Sequence, residues 1–462
     1  MRGATAAAPA GTAGGIYTRP PMSRVLVVSG DGVAERMAGP AIRCLELARV
    51  LAGAGHDVTL AAPQSSAATP EEPFAVVACD RRALRGLADA HDAILVQGWV
   101  LERAPALAAA ERPLIVDLYD PFALELLMLL EGEGAPARAR AQANAMRALG
   151  DQLDAGDFFL CASERQRDYW LGWLETRGRV NPRTHDADPT LRALVDVVPF
   201  GVPAEPPRRR GPGCRGVLPG VGEDELVLLW GGGVYNWFDP VTLVHAVARA
   251  VDQRPELRLV FMSGAHPDPG MPELRRLAEA RRAATELGVS ERHVLFHDGW
   301  VEYERRADWL LDADVGVSTH LDHVETRFSF RTRILDYLWA GLPVLCTEGD
   351  TLAEEIARRE IGVAVPAADV EAAAAAIVRL AGDGAWRADC GRRAADYAAT
   401  LTWERVAAPL LAFCAEPRRA PDLAGGGALR PTRDRPLSRR WLAARARRLR
   451  PAPSGAGRRA GR

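Results

Sequence analysis

Short apolar runs alternate with segments of helical spacing along most of the chain. Arg24–Ser29 is an apolar run that leads into a glycine-rich loop at Gly30–Gly32. Residues 40–54 then carry apolar side chains at helical intervals, and Pro40 stands where a first helical turn accepts proline. The next apolar run is Val58–Ala61. A strand, a helix and a strand in this order predict a parallel β-α-β unit with a right-handed crossover.

The same alternation continues through two similar halves of the chain. In the first half, the further strand-like runs are Ala75–Ala78, Ala93–Val96, Leu114–Val116, Phe158–Cys161 and Val195–Val198, and the longest helical stretch is 131–152. In the second half, they are Leu226–Trp230, Leu257–Met262, Val294–Phe296, Val315–Ser318 and Ile361–Val365, with helical stretches at 240–251, 272–287, 307–312 and 368–381. The pattern predicts an α/β protein with two doubly wound, parallel-sheet domains.

Breaks in this pattern set the predicted domain boundaries. Residues 204–224 are rich in proline, glycine and arginine, which predicts a linker between a first domain at 23–203 and a second at 225–400. Residues 401–415 are predicted to form a closing helical segment. Ligands of doubly wound sheets collect at the carboxyl ends of the strands, so the cleft between the domains is the predicted site.

Both ends of the chain differ in composition from the middle. Residues 1–22 lack the apolar core of a signal peptide and are interpreted as a disordered extension, with Met22 as an alternative translation start. Residues 416–462 are interpreted as a disordered basic tail. Within it, residues 437–450 have the spacing of a basic amphipathic helix. Solvated disorder, contact with an anionic membrane surface and contact with nucleic acid are the alternatives for this segment.

Composition narrows the classes of function. The chain has 462 residues with a formal net charge of -2, so the field of the whole molecule does not favour nucleic acid. The sequence contains no lysine, which excludes a lysine Schiff base and leaves any phosphate to arginine or the backbone. Its seven cysteines are scattered without ligand spacing, as expected of reduced thiols in the cytoplasm. No apolar run approaches the length of a membrane span.

Residues 328–344 combine charge and apolar character in one short stretch. Arg331 and Arg333 stand where the pattern predicts the start of a helix, and Gly341 stops the helix before a buried strand. A helix start favours an anion, and the two arginines strengthen that preference. Asp336, one turn further on, suits hydroxyl groups, as in a sugar attached to a phosphate. The alternative is a surface helix with an Arg–Asp pair three residues apart.

Several segments, in their order and spacing, resemble glycosyltransferase family 4, whose members have the GT-B fold. They are AIRCLELARVLAGAGHDVTLAAP (41–63), DFFLCASERQRDYW (157–170), VVPFGVP (197–203), DADVGVSTH (312–320) and RILDYLWAGLPVL (333–345). The last is the most specific, because it is similar to the family's K/R-x-x-E/D-Y-x-x-A-G-x-P-V pattern. The resemblance covers roughly residues 23–415.

This resemblance implies a retaining glycosyltransferase of the hexosyltransferase type. It implies that the second domain binds a nucleotide-sugar donor, that the first binds a glycan, lipid-linked or small-molecule acceptor, and that neither a cofactor nor a metal is needed. The spacing of Asp312 and Asp314 resembles a metal-binding DxD motif, but the pair precedes a buried strand and is interpreted as a helix-end and turn pair. A cytoplasmic enzyme of cell-surface polysaccharide, glycolipid or natural-product synthesis, peripheral at the inner membrane face through its tail, is expected.

Carried over residue by residue, the resemblance implies a set of donor-binding positions. Asp336 matches the acid that accepts ribose hydroxyls, and Arg333 matches the basic residue three positions earlier. The remaining positions are the donor-domain glycine loop, the first-domain loop glycine and the turn that contacts the base: Gly231, Gly232, Gly233, Gly39, Trp300 and Val301.

The chain departs from the family pattern at two places. The basic pair expected after the glycine loop is replaced by VYNWFDP (234–240), so Arg331 and Arg333 become the candidates for diphosphate. Phe328 stands where the family has its first acid. Glu325 is the candidate to replace that acid, and Asn236 and Asp239 are candidates to share its role.

Other candidates rest on their place after a strand. His266 either binds donor or caps its loop, and Asp117 and Asp120 either orient an acceptor hydroxyl or serve as turn residues. Trp99 and Trp237 are either sugar platforms or core residues. The competing functions are a non-catalytic nucleotide-sugar-binding subunit and a nucleotide-sugar epimerase on the same fold.

Overall fold

The computed structural model describes residues 23–63, 72–78, 80–264 and 274–424. The predictions for the amino-terminal extension, for Met22, for His266 and for the tail beyond residue 424 lie outside these ranges. Within them, no helix is both long and apolar enough to cross a lipid bilayer.

The first domain is built on a seven-stranded sheet in which every described pairing is parallel, with the strand order β3-β2-β1-β4-β5-β6-β7. The strands are β1 (Arg24–Val28), β2 (Asp57–Ala62), β3 (Ala75–Ala78), β4 (Ala93–Gln97), β5 (Leu114–Asp117), β6 (Phe158–Cys161) and β7 (Val195–Val197). The helices are α1 (Gly39–Gly53), α2 (Arg81–Ala90), α3 (Val100–Arg103), α4 (Phe122–Leu129), α5 (Ala135–Ala155), α6 (Glu164–Thr176) and α7 (Pro182–Ala187).

The second domain repeats this architecture with six parallel strands in the order β10-β9-β8-β11-β12-β13. A short helix, α8 (Cys214–Val217), precedes it. The strands are β8 (Leu226–Trp230), β9 (Leu257–Phe261), β10 (Val294–Phe296), β11 (Val315–Ser318), β12 (Val344–Thr347) and β13 (Gly362–Val365). The helices are α9 (Pro240–Ala250), α10 (Arg275–Glu286), α11 (Arg306–Leu310), α12 (Val324–Phe328), α13 (Thr332–Trp339), α14 (Thr351–Arg358), α15 (Val370–Gly382), α16 (Gly384–Ala398), α17 (Trp403–Val406) and α18 (Ala408–Ala415).

The strand order places one ligand-binding crevice in each domain. The central strands β4 and β8 are buried at every position, as parallel strands covered by helices on both faces must be, whereas the edge strand β3 is not fully buried anywhere. In each sheet the order reverses beside the first strand, between β1 and β4 and between β8 and β11. Ligands of doubly wound sheets bind outside the carboxyl ends of the strands at such a switch point. The predicted α/β fold class is therefore confirmed.

The predicted glycine stop after α13 is also confirmed. Gly341 has φ +65, a left-handed conformation that glycine adopts without a steric penalty. The amide of Gly341 donates to the carbonyl of Leu338, and that of Leu342 donates to the carbonyl of Tyr337. These two bonds form a Schellman motif, which ends the helix and directs the chain into β12.

The predicted linker is only partly a free connection. It contains α8, whose Cys214 is fully buried. Asp312 accepts hydrogen bonds from the Arg209 side chain and from the Arg215 amide. The Asp312 carboxylate therefore anchors the linker to the second domain, in agreement with a helix-end role rather than a metal-binding role.

The prediction that disorder begins at residue 416 is wrong for the first part of the tail. Asp422 is fully buried, and its carboxylate pairs with the buried guanidinium of Arg179 at 2.6 and 3.2 Å. Arg419 and the Ala420 amide both donate to Asp157. Composition alone did not predict that these residues are ordered, because the contacts that hold them are made by charged side chains whose partners lie far away in the sequence. Residues 417–424 therefore form a strap, which crosses back over the first domain.

Replacing Asp422 by asparagine should destabilise the protein. The change leaves the Arg179 charge buried without its carboxylate, a loss that typically costs about 3–5 kcal/mol. Chemical denaturation of the full chain measures the difference. Glu416→Gln is the matched control, because Glu416 is exposed and should change stability by less than about 0.5 kcal/mol. Equal stability of the two variants would contradict the role given to the strap.

Candidate functional site

A cavity of about 430 Å³ lies between the two sheets at their carboxyl ends. Both domains contribute to its walls. Of the predicted site residues, those that line it are Gly39, Asp117, Asp120, Gly231, Gly232, Gly233, Trp300, Val301, Glu325, Arg331, Arg333 and Asp336. The sequence thus predicted much of the cavity lining, although the partners of the charged residues change several of the proposed roles.

The glycine loop after β8 brings backbone to the cavity wall. Gly232 has φ +77, which disfavours any residue with a side chain. The amide of Gly231 donates to the Tyr337 hydroxyl at 2.7 Å, and that hydroxyl donates to the carbonyl of Val317 at 2.8 Å. Tyr337 therefore joins the loop to α13 and to β11, which fixes the position of the loop against the start of α13.

Arg333 is a buried cation that has no acidic partner in the described part of the chain. Its side chain donates to the carbonyl of Gly233 at 2.7 Å and lies over the rings of Trp230 and Phe238. One guanidinium nitrogen, Nη1, is buried without a hydrogen-bond acceptor among the described residues. Burial, together with the positive charge of Arg331, lowers the pKa of Arg333 to about 10, so the side chain is still protonated at neutral pH.

The start of α13 adds further positive potential at the same place. Its N-cap residue, Arg331, makes no capping bond through its side chain, and the first turn contains no acid. The first turn of α1, which contains Gly39 and follows the uncapped Ala38, also reaches the cavity. Amides at a helix start carry partial positive charge, so the two helices and Arg333 form a site suited to an anion.

Arg331 is not a second free cation, because Glu325 neutralises it. The two side chains form a bidentate pair at 2.7 and 3.0 Å, and both are buried. A carboxylate oxygen of Asp350 lies 4.0 Å from Nε of Arg331. Glu325 belongs to the short helix α12 and does reach the cavity, as predicted, but its oxygens are held by Arg331. The expectation that Arg331 joins Arg333 in meeting diphosphate charge is therefore not supported.

Asp336 presents its carboxylate to the cavity from the second turn of α13. Its side chain is 38% exposed, and one oxygen accepts from the side chain of Arg306 at 3.1 Å. Arg306 is buried between the rings of Tyr303 and Trp339. The other oxygen of Asp336 has no hydrogen-bond donor among the described residues, so it can accept hydroxyl hydrogens of a ligand.

Asp117 does not have the free carboxylate that an acceptor-orienting role requires. Both of its oxygens accept from the guanidinium of Arg43, at 2.6 and 3.0 Å, and one also accepts from Gln97 at 3.0 Å. The side chains of Asp117 and Arg43 are fully buried. This pair joins the end of β5 to α1, and the structure therefore gives Asp117 a structural role in place of the predicted catalytic one.

Asp120 and Glu125 form a hydrogen-bonded carboxyl pair at the cavity wall. Burial, followed by the negative charges of Glu325, Asp117 and Asp31, raises the pKa of Asp120 to about 6. Burial and the charge of Asp120 raise the pKa of Glu125 well above its usual range. Two carboxyls so close together hold a proton between them, since both cannot easily be charged at once.

Two predicted donor-binding residues lie elsewhere. Asn236 is buried behind the cavity wall, and its amide donates to the carbonyl of Leu129 at 3.4 Å, so it links the second domain to α4 instead of contacting a ligand. Asp239, the companion candidate, caps α9 through the amide of Thr242. His266 lies outside the described residues.

Aromatic rings form another part of the wall. Tyr235 and Trp237 stack with a centroid distance of 4.8 Å, and both reach the cavity. Of the predicted alternatives for Trp99 and Trp237, the structure places both at the cavity, where Trp99 pairs with Phe122 at 4.9 Å.

Several cavity residues were not predicted from the sequence. Arg306 occurs in a run of charges, ERRADW, that is typical of a solvated helix start, and Glu125 occurs in the apolar segment FALELLML. A carboxylate inside an apolar helical segment is a signal that could have been used for Glu125. Arg306 could be recognised only from its contact with Asp336, which lies thirty residues away.

Comparison with known proteins agrees with this geometry. Residues 225–383 match the family described as Glycosyl transferases group 1. Relatives named D-inositol 3-phosphate glycosyltransferase include that of Nocardiopsis dassonvillei, 30% identical over 236 residues (49% of this chain, 52% of the relative), and that of Streptomyces avermitilis, 29% identical over 188 residues (41% and 39%). The chain spans about half the length of the curated relatives that it matches.

Solved structures share the fold across both domains. Sucrose-phosphate synthase from Thermosynechococcus elongatus superposes with a TM-score of 0.62 at 18% identity, covering 84% of this chain and 97% of that one. Anabaena Alr3699/HepE in complex with UDP-glucose gives 0.62 at 14% identity, covering 84% and 98%. The second domain thus matches the family of group 1 glycosyl transferases, and the two Rossmann-like domains that face a cleft have the GT-B fold of the similar solved structures.

Proposed function

We propose that this protein transfers a glycosyl group from a nucleoside diphosphate sugar to a hydroxyl group of an acceptor. The buried guanidinium of Arg333 carries the proposal. A cation buried without a carboxylate is costly, and a diphosphate in the cavity offsets that cost. Arginine can meet phosphate oxygens with two donors at once, and in a chain without lysine this role falls to arginine side chains.

The donor is proposed to lie along the second-domain wall. Its diphosphate takes the space between Arg333, the glycine loop and the start of α1. Its ribose hydroxyls donate to the free oxygen of Asp336, and its base lies against the turn at Trp300 and Val301. The names of the similar structures support the donor class, because Anabaena Alr3699/HepE is in complex with UDP-glucose.

The proposed reaction retains the anomeric configuration and uses no metal ion. The acceptor oxygen bonds to the anomeric carbon, and the bond from that carbon to the β-phosphate oxygen breaks. The electron pair leaves with the diphosphate, which also takes the hydroxyl proton. Arg333 and the helix starts stabilise the charge that develops on the leaving group, which is the work a metal would otherwise do.

A donor screen followed by product analysis tests this proposal. We expect one of the UDP-, GDP-, dTDP- or ADP-sugars to raise the melting temperature of the full chain and to be turned over with an acceptor pool. NMR of the product should show the same anomeric configuration as the donor, and the rate should be unchanged in excess EDTA.

Each contrary result corresponds to a defined alternative. A donor that binds but releases no nucleotide with any acceptor pool indicates a non-catalytic binding subunit. Release of an epimerised sugar without transfer indicates an epimerase. An inverted product would overturn retention, and activity that EDTA removes and Mg²⁺ restores would overturn metal independence.

A further inference from the structure

The charged side chains of the cavity divide into neutral pairs and a small remainder. Asp117 is paired with Arg43, Glu325 with Arg331, and Asp336 with Arg306. Such pairs carry little net charge toward a ligand. The electrostatic preference of the cavity is therefore set by the charged side chains at its wall that are not neutralised in this way.

Asp120 and Glu125 belong to that remainder. They lie at the carboxyl end of β5 and in the first turn of α4, and both reach the cavity from the first domain. No arginine or histidine of the described ranges lies within ion-pair distance of either carboxyl. The nearby cation Arg331 is already held by Glu325. The two carboxyls together carry at least one negative charge at neutral pH.

Arg333 marks the same cavity as a ligand site independently of these acids. It is 9% exposed, reaches the cavity from the second domain, and has a donor without an acceptor in the described ranges. Tyr235 lines the same cavity, and the charges of Arg333, Glu125 and Asp120 all act on its phenol. The cavity therefore has a positive pole on the second-domain wall and a negative pole on the first.

We propose that the acceptor is a polyol that carries an ammonium group, such as an amino sugar or an aminocyclitol, bound with that group at Asp120 and Glu125. The inference rests on the proposed glycosyl transfer, because it assigns the negative pole to the acceptor. An ammonium group donates three hydrogen bonds. It also supplies the positive charge that no described residue pairs with the two carboxyls. The ring pair of Trp99 and Phe122 beside them offers an aromatic face to the sugar or to the cation.

The same charges disfavour a phosphorylated acceptor. The curated relatives are named for D-inositol 3-phosphate, whose phosphate needs cations at its site. On the first-domain wall of the described cavity, Arg103 is the cation available, and its exposed guanidinium donates to the carbonyl of Gly30. Two carboxyls without a cationic partner would repel a phosphate there, so this chain and those relatives are expected to differ in their acceptors.

Matched acceptor probes test the inference on the full chain loaded with UDP. Glucose, 6-amino-6-deoxyglucose and glucose 6-phosphate are titrated, as are other polyol triplets that carry a hydroxyl, an ammonium or a phosphate at one carbon. We expect at least one ammonium probe to bind about tenfold or more tightly than its hydroxyl partner, and the phosphate probes to bind most weakly. In Asp120→Asn/Glu125→Gln, the ratio of ammonium to hydroxyl affinity should fall toward one.

Glu133→Gln is the matched control, because it removes an exposed acid outside the cavity and should leave the ratio unchanged. Phosphate probes that bind as tightly as ammonium probes, no ammonium advantage in any triplet, or an advantage that survives in the double variant would each overturn the inference. Donor binding and donor hydrolysis are measured on the same preparation. Failure of the nucleotide sugars to bind defeats the proposed function, whereas donor turnover without ammonium preference defeats only the acceptor class.

Discussion

Replacing Arg333 by methionine should abolish most donor binding while leaving the ligand-free protein intact. Methionine keeps the length and the apolar contacts with Trp230 and Phe238 but removes the charge and the donors. Hydrogen bonds to a charged group are worth about 1.5–3 kcal/mol each, so we expect an affinity loss on the order of 100-fold, equivalent to about 2.7 kcal/mol. Calorimetric titration with UDP measures the loss directly.

The same variant should lose donor affinity without losing stability in its ligand-free form. In the ligand-free protein, the Arg333 charge is buried without a carboxylate in the described ranges, and its lowered pKa reflects that cost. We therefore expect the ligand-free variant to be at least as stable as the parent in chemical denaturation. A residue held only for structure would show the reverse, with stability lost and UDP affinity little changed.

Arg327→Met is the matched control for donor binding. Arg327 is on the neighbouring helix α12 and is exposed, so its removal changes the net charge by the same amount away from the cavity. We expect its UDP affinity to stay within about twofold of the parent, because exposed charges are screened by salt. Arg333→Lys retains the charge without the planar fork and should bind with intermediate affinity.

The fold was readable from the sequence because its signals are local. Short apolar runs such as β4 and β8 are buried at every position, and glycine ends α13 where the pattern places it. The helix predictions were wrong in the segment before β6, where the alternation of apolar runs and helical spacing is interrupted. The helix predicted at 131–152 is α5, which begins at residue 135, and the apolar helix α4 before it was not predicted.

The site was readable only in part, because sequence does not show which charges meet. Arg331 and Arg333 are two residues apart and looked equivalent, yet one is neutralised by Glu325 and the other has no described acidic partner. Phe328, where an acid was expected, instead packs against Tyr169 with a centroid distance of 4.8 Å. Pairing in three dimensions decides which residue is available to a ligand, and local composition does not encode it.

Replacing Arg43 by methionine should be among the most destabilising single changes in the chain. Its guanidinium donates to both oxygens of Asp117 and to the carbonyls of Val198 and Pro199, so it joins α1, the end of β5 and the turn between the domains. Removing it leaves the Asp117 carboxylate buried with only neutral donors. Breaking a buried pair from one side typically costs about 3–5 kcal/mol in the free energy of unfolding.

The double variant Arg43→Met/Asp117→Leu separates this cost from simple loss of packing. Because it removes both charges together, we expect it to be more stable than Arg43→Met alone, with a measurable coupling in a double-mutant cycle.

Arg24→Met is the exposed control: its pair with Asp92 is 50% and 39% exposed, and its loss should cost less than about 1 kcal/mol. An equal penalty for Arg43→Met and Arg24→Met would show that the buried pair does not hold the first-domain wall of the cavity in place.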